Sequence, residues 1–414
     1  MRKMVWLAVM AASAALAQVQ YATWDGTRQK VDERLLKAFT EATGIQVAYN
    51  LVPWGTYWQK ASAMVAGGST FDVMWMNLDN FPFYASQRAL SPIPLSQEAR
   101  GLLPKGALDL YTVRGQVLGL PLGPQVVTVY INRKLFQERG VPIPKDTWTF
   151  EEMREAARKL TFTRPDGKKV WGINAMDLQI DSEYGMAFYY SNGGTGIIRR
   201  VGDRYEANLD EAFRDTAKKL LDLIYVDKVS PGPQDSTLQG YQLFQAGQMG
   251  IYVLGSWMTE VWKGSPELDW AFAPLPVMKR GLEPVGVYSV HALVVPAASR
   301  NKEGAYRLAE WYTTSAQAQR MVAGAGLMPT LADRYRSTYL QALPGRNGEV
   351  VFRQLPRMVV RHADVRNLSN LPEVLDALYN AMNLAWTGNL PLDKALDKAR
   401  ADMNALLRNS KPLW

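Results

Sequence analysis

The stretch VQYATWDGTRQKVDERLLKAFTEATGIQVAYN, residues 19–50, restricts the fold more than any other part of this chain. A short apolar strand, Val19 to Thr23, runs through a loop, Trp24 to Thr27, into a helix with Val31, Leu35, Phe39 and Ala42 on one face. Gly44 stands at the left-handed position that ends a helix, and a second strand, Ile45 to Val52, follows directly. Strand, amphipathic helix and strand in succession form the crossover unit of a parallel sheet. The pattern recurs: Tyr57 to Ala66 reads as a helix ended by Gly67-Gly68, and FDVMWM reads as the next buried strand. Further on, Thr149 and Glu152 form a capping box ahead of Phe150, Met153, Ala157 and Leu160. Asp166-Gly167 predicts a hairpin turn between short strands. The chain closes on a helix with Leu392, Leu396, Ala399, Met403 and Leu406 facing inward. The fold class is α/β throughout.

At 414 residues the chain exceeds one ordinary core, so two or more domains are expected. Three stretches punctuated by Pro and Gly could carry the chain between them: GLPLGPQVV near 119–127, AFAPLPVMKRG near 271–281 and AGAGLMPTLAD near 323–333. Composition alone reads them as surface loops. Without cysteine no disulfide can staple the fold, and stability must come from core burial.

The opening MRKMVWLAVMAASAALAQ has basic Arg2 and Lys3, an apolar segment too short to span a bilayer, and Ala15-Leu16-Ala17. It reads as a cleavable signal peptide over residues 1–17, with no Cys after the cleavage site to take a lipid. A periplasmic location is expected. The formal charge of +8 comes from 47 basic against 39 acidic residues; losing Arg2 and Lys3 leaves 45 against 39, or +6. These charges are dispersed along the chain, which argues against nucleic-acid binding.

Reactive constellations are scarce. His291 and His362 lie 71 residues apart without ligand-spaced partners, so a zinc site of Cys and His type is not expected. No nucleophile elbow and no phosphate loop occurs, and no cofactor or metal is implied. GGTGII is a turn, only a fragment of a dinucleotide fingerprint. A glycosidase needs only two carboxylates, which 39 acids leave open. Binding needs other parts, namely side chains at the carboxyl ends of sheet strands. Trp24-Asp25, Asn77 to Asp79, Trp257 and Tyr288-Ser289 stand at such ends. Sugars present C–H patches to aromatic faces and hydroxyls to acids and amides, and 13 Trp and 19 Tyr could serve stacking or core packing.

Four segments in order resemble the family 1 extracellular solute-binding proteins, the sugar-capturing components of ABC importers, of which maltose-binding protein is one. They are FTEATGIQVAYN with GGSTFDVMWMNLDNFPFYASQRALSPI; GQVLGLPLGPQVVTVYINRKLFQERGVPIPKDTWTFEEMREAARKLT; FYYSNGG followed by FQAGQMGIYVLGSW; and APLPVMKRGLEPVGVYSVHALVVPAASRNKEGAYRLAEWYTTSAQAQ ahead of GLMPT. Phe71 replaces the family's usual proline, and Ile131 separates Tyr130 from Asn132. The resemblance implies a two-lobed periplasmic-binding fold of type II with a ligand in a central cleft. It turns the three Pro/Gly stretches into crossings near 124–125, 274–275 and 327–329, giving lobe I as 18–123 plus 276–326 and lobe II as 126–273 plus 330–414.

By motif, Trp257 matches the family's stacking tryptophan, Asp25 a sugar-binding acid, and Asn77 and Asp79 a polar contact point. Gln125 stands where maltose-binding protein has an acid, Tyr184 and Tyr288 supply further aromatic wall, and Trp54 and Trp24 further stacking faces. Met76 replaces an aromatic, so the ligand need not be maltose. The implied function is non-catalytic capture of a carbohydrate by a monomer that docks onto permease subunits of an ABC importer. An anionic polyol such as glycerol phosphate, and an exported carbohydrate hydrolase, are the alternatives.

Overall fold

The computed structural model describes residues 18–67, 71–144, 147–235 and 238–414. The expected leader over residues 1–17, and Gly68 of the expected helix end, lie outside them. Two sheets organise the chain. The first has five strands in the order Val47–Leu51, Val19–Thr23, Val73–Met76, Ala292–Val294 and Gly119–Pro121. The first three run parallel, as crossover units must, and the last two join through antiparallel pairing of Ala292–Val294.

Gly44 ends the Gln29–Thr43 helix at φ 75°, as its position predicted. The buried face is Val31, Asp32, Leu35, Leu36, Ala38 and Phe39, whereas Ala42 is exposed together with its neighbours Glu41 and Thr43 in the last turn. The second helix begins at Trp54 rather than Tyr57. Strands are also shorter than the apolar runs, Val47–Leu51 and Val73–Met76, since flanking residues turn into loops.

Beneath this sheet lies an ion pair removed from water. Arg28 Nε meets Asp32 Oδ1 at 2.9 Å, Tyr312 OH donates to the same oxygen at 2.6 Å, and Tyr21 OH donates to Oδ2 at 3.2 Å. Trp75 Nε1 donates to Tyr21 OH at 2.6 Å, and the Arg28 guanidinium sits 5.1 Å from the Trp75 ring centroid. Each polar group has partners, the condition under which a charge pair is tolerated in a core. The pair fixes the short turn Gly26–Arg28 at the end of the first strand.

The second sheet has seven strands. Along it run Met358–Val359, Gly286–Ser289, Gln125–Asn132, Met249–Gly255, Lys169–Ile173 and Phe162–Thr163, with Trp270–Ala273 also paired to Gln125–Asn132. Its central strands are apolar on both faces: Val127, Val129 and Ile131 enter one core cluster, and Val126 and Tyr130 enter another. The Thr149 capping box, the turn at Gly167 (φ 83°) and the final Leu392–Leu407 helix form as expected, although Leu407 rather than Leu406 is fully buried.

Around the expected second crossing near 274–275 the chain stays with the second sheet. Leu275, Met278 and Val287 pack in the core of the second sheet, and Tyr288 and Ser289 pair with Val126 and Gln125 of its long strand. The chain joins the first core at Val290 and Ala292. Near that point the connections run side by side: Leu122 N–H donates to the His291 carbonyl at 2.8 Å, and Thr330 Oγ1 to the Pro121 carbonyl at 3.2 Å. Gly123 is required here, because a Cβ on it would stand 1.8 Å from the Met328 carbonyl oxygen. Gly123→Ala should therefore force two backbones apart and destabilise the protein by about 1–3 kcal/mol, read from urea unfolding. An unchanged midpoint would show that these segments separate freely.

Candidate functional site

Loops that follow the strands of both sheets enclose a cavity of about 650 Å³. From the first sheet come Trp24, Asp25 and Thr27, then Asn77 to Asp79, with Trp54 at its helix start and His291 leading into Ala292–Val294. The second sheet contributes Ser182 to Tyr184 at a helix N-terminus, Trp257, Tyr288, Ser289 and Arg361. Gln125 begins the long strand between them. All nine residues singled out from sequence, Trp257, Asp25, Asp79, Asn77, Gln125, Tyr184, Tyr288, Trp54 and Trp24, line this one cavity.

Trp257 closes a local puzzle. The strand Met249–Gly255 is buried along its whole length, yet Ser256 and Trp257 follow it immediately. Gly255 explains the arrangement: a Cβ there would lie 1.5 Å from Trp257 Cζ3, so the ring folds back over the strand end through the space that glycine leaves. Tyr184 stands 6.3 Å away, centroid to centroid, at an interplanar angle of 40°. These two rings form an aromatic corner on the side of the second sheet.

On the opposite side Trp24 is less a free face than the hub of a cluster. Its ring lies 5.3 Å from Trp54, 4.9 Å from Tyr57, 5.4 Å from Trp75 and 5.0 Å from His291. Trp54, at 52% exposure, keeps a face open.

The polar groups are held in place by their own loops. Asp25 Oδ1 accepts from Thr27 N at 3.0 Å and from Thr27 Oγ1 at 2.5 Å. Asn77 Oδ1 accepts from Asn80 N at 3.1 Å and Nδ2 at 2.9 Å. Asp79 Oδ2 accepts from Arg361 Nη2 at 2.6 Å, and Arg361 Nη1 donates to the Asp181 carbonyl at 3.0 Å. Burial works to raise the Asp79 carboxyl, but Arg361 outweighs it and holds the group below the usual carboxylate range. Burial raises Glu183, against the pull of Arg361. The described lining residues include three carboxyls, Asp25, Asp79 and Glu183, and a single guanidinium, Arg361.

Sequence reasoning placed Ser289 at a strand end, missed Arg361, Glu183, Ser182 and Thr27, and considered His291 only as a zinc ligand. Arg361 follows a strand of two residues, Met358–Val359, too short to show a period. Ser182 was legible as an N-cap, since its side chain accepts from Gly185 N at the start of the Glu183–Ser191 helix. Among the described residues no group of three or more His, Cys, Asp or Glu is placed to hold a metal ion.

Both histidines are kept neutral. Burial lowers His291 to about 4, against the opposing pull of Asp79, and lowers His362 to about 3 with help from Arg361. Between these values and the ordinary 6.5, the unfolded chain binds protons that the folded chain refuses. Stability from each histidine is therefore whole above pH 6.5 and falls as the pH drops toward the folded value, by about 2 kcal/mol each at pH 5. Buried carboxyls with raised values, such as Asp177 and Glu183, act in the opposite sense. A comparison with His362→Asn isolates the term: the variant should lose less stability than wild type between pH 7.5 and 5. Equal losses would contradict it.

The profile of the bacterial extracellular solute-binding protein family matches residues 34–347. A mannitol-binding protein of Pseudomonas aeruginosa is 26% identical over 407 residues, covering 89% of this chain and 88% of its own. An ABC substrate-binding protein of Listeria monocytogenes in complex with cycloalternan superposes with a TM-score of 0.82 at 22% identity, covering 94% of this chain and 98% of its own. The Thermus thermophilus maltotriose binding protein bound with maltotriose does so with a TM-score of 0.76 at 19% identity, covering 94% and 100%. The two-lobed type II periplasmic-binding fold follows from these likenesses.

Proposed function

Because this chain belongs to the bacterial extracellular solute-binding protein family, we propose that it captures a neutral carbohydrate, unaltered, between its two lobes and delivers it to the permease subunits of an ABC importer. The observation that carries this reading is the convergence of widely spaced Trp, Tyr, Asp, Asn and Gln residues on one cavity of about 650 Å³. That volume is of the size that holds small ligands, roughly 300–1,000 Å³. Rings at Trp257, Tyr184 and Trp54 suit the C–H faces of sugar rings, while Asp25, Asn77, Gln125 and Glu183 suit hydroxyls. The relatives whose names state a ligand, mannitol and maltotriose among them, support the same class.

Lobe I is then 18–123 with 290–326, and lobe II 126–289 with 330–414, the revised second crossing following the cores. Three adjacent connections act as the hinge. Ligand held by one lobe meets the aromatic and polar groups of the other on closure, which excludes water. The protein works as a monomer outside the cytoplasm, and no helix among the described residues is long and apolar enough to cross a membrane.

Charge separates the two binding alternatives. An anionic polyol would need a cation free to meet it, and Arg361 is already bonded to Asp79 amid two further carboxyls. A thermal-shift panel should therefore favour neutral sugars and polyols over glycerol phosphates. Saturation at about 100 times the dissociation constant adds roughly 2.7 kcal/mol of stability. Stabilisation by the phosphates alone would overturn the neutral assignment. The hydrolase alternative draws on one feature, a raised Glu183 beside a lowered Asp79, the division of labour seen in glycosidases. Asp79 is tied to Arg361, which leaves it poorly suited to act as nucleophile.

A further inference from the structure

Residues 361–366 belong to the second lobe but reach into the first. The strand Met358–Val359 that leads into them pairs with Gly286–Val287, and Arg361 Nη1 is fixed on the Asp181 carbonyl at 3.0 Å. The next residue, His362, is buried and holds a left-handed backbone at φ 58°, a conformation that non-glycine residues keep only where the surroundings impose it. From this fixed turn two arginines extend to the first lobe, Arg361 within the cavity wall and Arg366 away from it. Arg361 Nη2 meets Asp79 Oδ2 at 2.6 Å, and Arg366 Nη1 meets the Leu110 carbonyl oxygen at 2.9 Å. Asp79 and Leu110 both stand on segments whose neighbours pack in the core of the first lobe.

We propose that Arg361 and Arg366 form a clamp that holds the two lobes together before any ligand arrives, making them positioning residues for capture. A closing equilibrium shifts only by interactions that differ between its two states, and both of these bonds join one lobe to the other without a ligand atom between. The Arg361 bond is charge-assisted and lies in the cavity wall, where water is partly excluded and such bonds are strong. A protein that already spends part of its time closed asks less of its ligand, because apparent affinity scales with the fraction of molecules in the competent state.

The test needs no ligand. Small-angle scattering of the ligand-free protein should give a larger radius of gyration for Arg361→Gln than for wild type, and larger still for Arg361→Gln combined with Arg366→Gln. Exchanging the charges, Asp79→Arg with Arg361→Asp, should bring the value back toward wild type, which a merely structural role for Arg361 would not do. Circular dichroism confirms folding in each case, and the glutamine pair serves if the exchanged pair does not fold. Equal radii for wild type and the double glutamine variant would overturn the clamp, as would an exchanged pair as open as Arg361→Gln. Since no sugar is present, failure here leaves the carbohydrate reading intact, and failure of the sugar panel leaves the clamp intact.

Discussion

Trp257→Ala should weaken capture of the carbohydrate by roughly 30- to 1,000-fold, the equivalent of about 2–4 kcal/mol, while the protein stays folded. The size follows from where the ring stands. It is half-buried, it lines the cavity, and Tyr184 at 6.3 Å forms the adjoining face. Removing it takes away the large flat surface against which a sugar ring would lie. The effect on folding should be small by comparison, because the strand before it is already buried by Val253, Leu254 and their neighbours. Trp257→Phe should fall between the two, keeping a smaller ring. Titration calorimetry with a sugar identified in the thermal panel measures all three proteins. An alanine variant with wild-type affinity would remove Trp257 from the site.

Asp32→Ala should have the largest effect on stability, a loss of about 3–5 kcal/mol. The substitution leaves Arg28 charged, buried and deprived of its carboxylate, with Tyr312 and Tyr21 also losing their acceptor. Asp32 is completely buried and Arg28 nearly so, which gives the orphaned guanidinium no easy path to water. The damage should extend to binding, because Arg28 ends the turn that carries Asp25 and Thr27 into the cavity. Replacing both partners by apolar residues, Arg28→Met with Asp32→Leu, should recover much of the stability, since the cost lies in the unpaired charge rather than in the absence of the pair. Urea unfolding reads both variants. A single variant as stable as wild type would mean that the network is not the keystone the bonding suggests.

Much of the fold was legible because it is written in local signals. The opening strand and helix, the left-handed Gly44, the Thr149 capping box and the Gly167 turn each depend on residues a few positions apart. Trp257 was legible for a similar reason, since an apolar run ending in Gly-Ser-Trp places an aromatic ring at the end of a buried strand. The second crossing is hard to place from sequence because Pro274 and Pro276, which could mark a hinge, sit in a buried stretch against the core of the second sheet, and only residues 279–283 turn outward. What fixes the crossing is pairing of Tyr288 with Val126, a contact between residues far apart in the chain. Arg361 was illegible for the same reason at greater distance, as its partner Asp79 lies 282 positions away and its strand has two residues. Trp24 lines the cavity, and its place as a hub was not legible because the rings around it, at Trp54, Trp75 and His291, come from three separate segments.

The protein should capture a neutral carbohydrate, unaltered, in the cavity between the lobes, and that capture is directly measurable. Its most direct test is titration of the chain from Gln18 onward with the best neutral sugar from the panel, followed by mass measurement of the ligand released on unfolding. One site per chain and a ligand of unchanged mass are expected. A shortened ligand would make the protein a hydrolase, and the absence of binding by any neutral sugar, alongside binding of a phosphorylated one, would contradict the assignment.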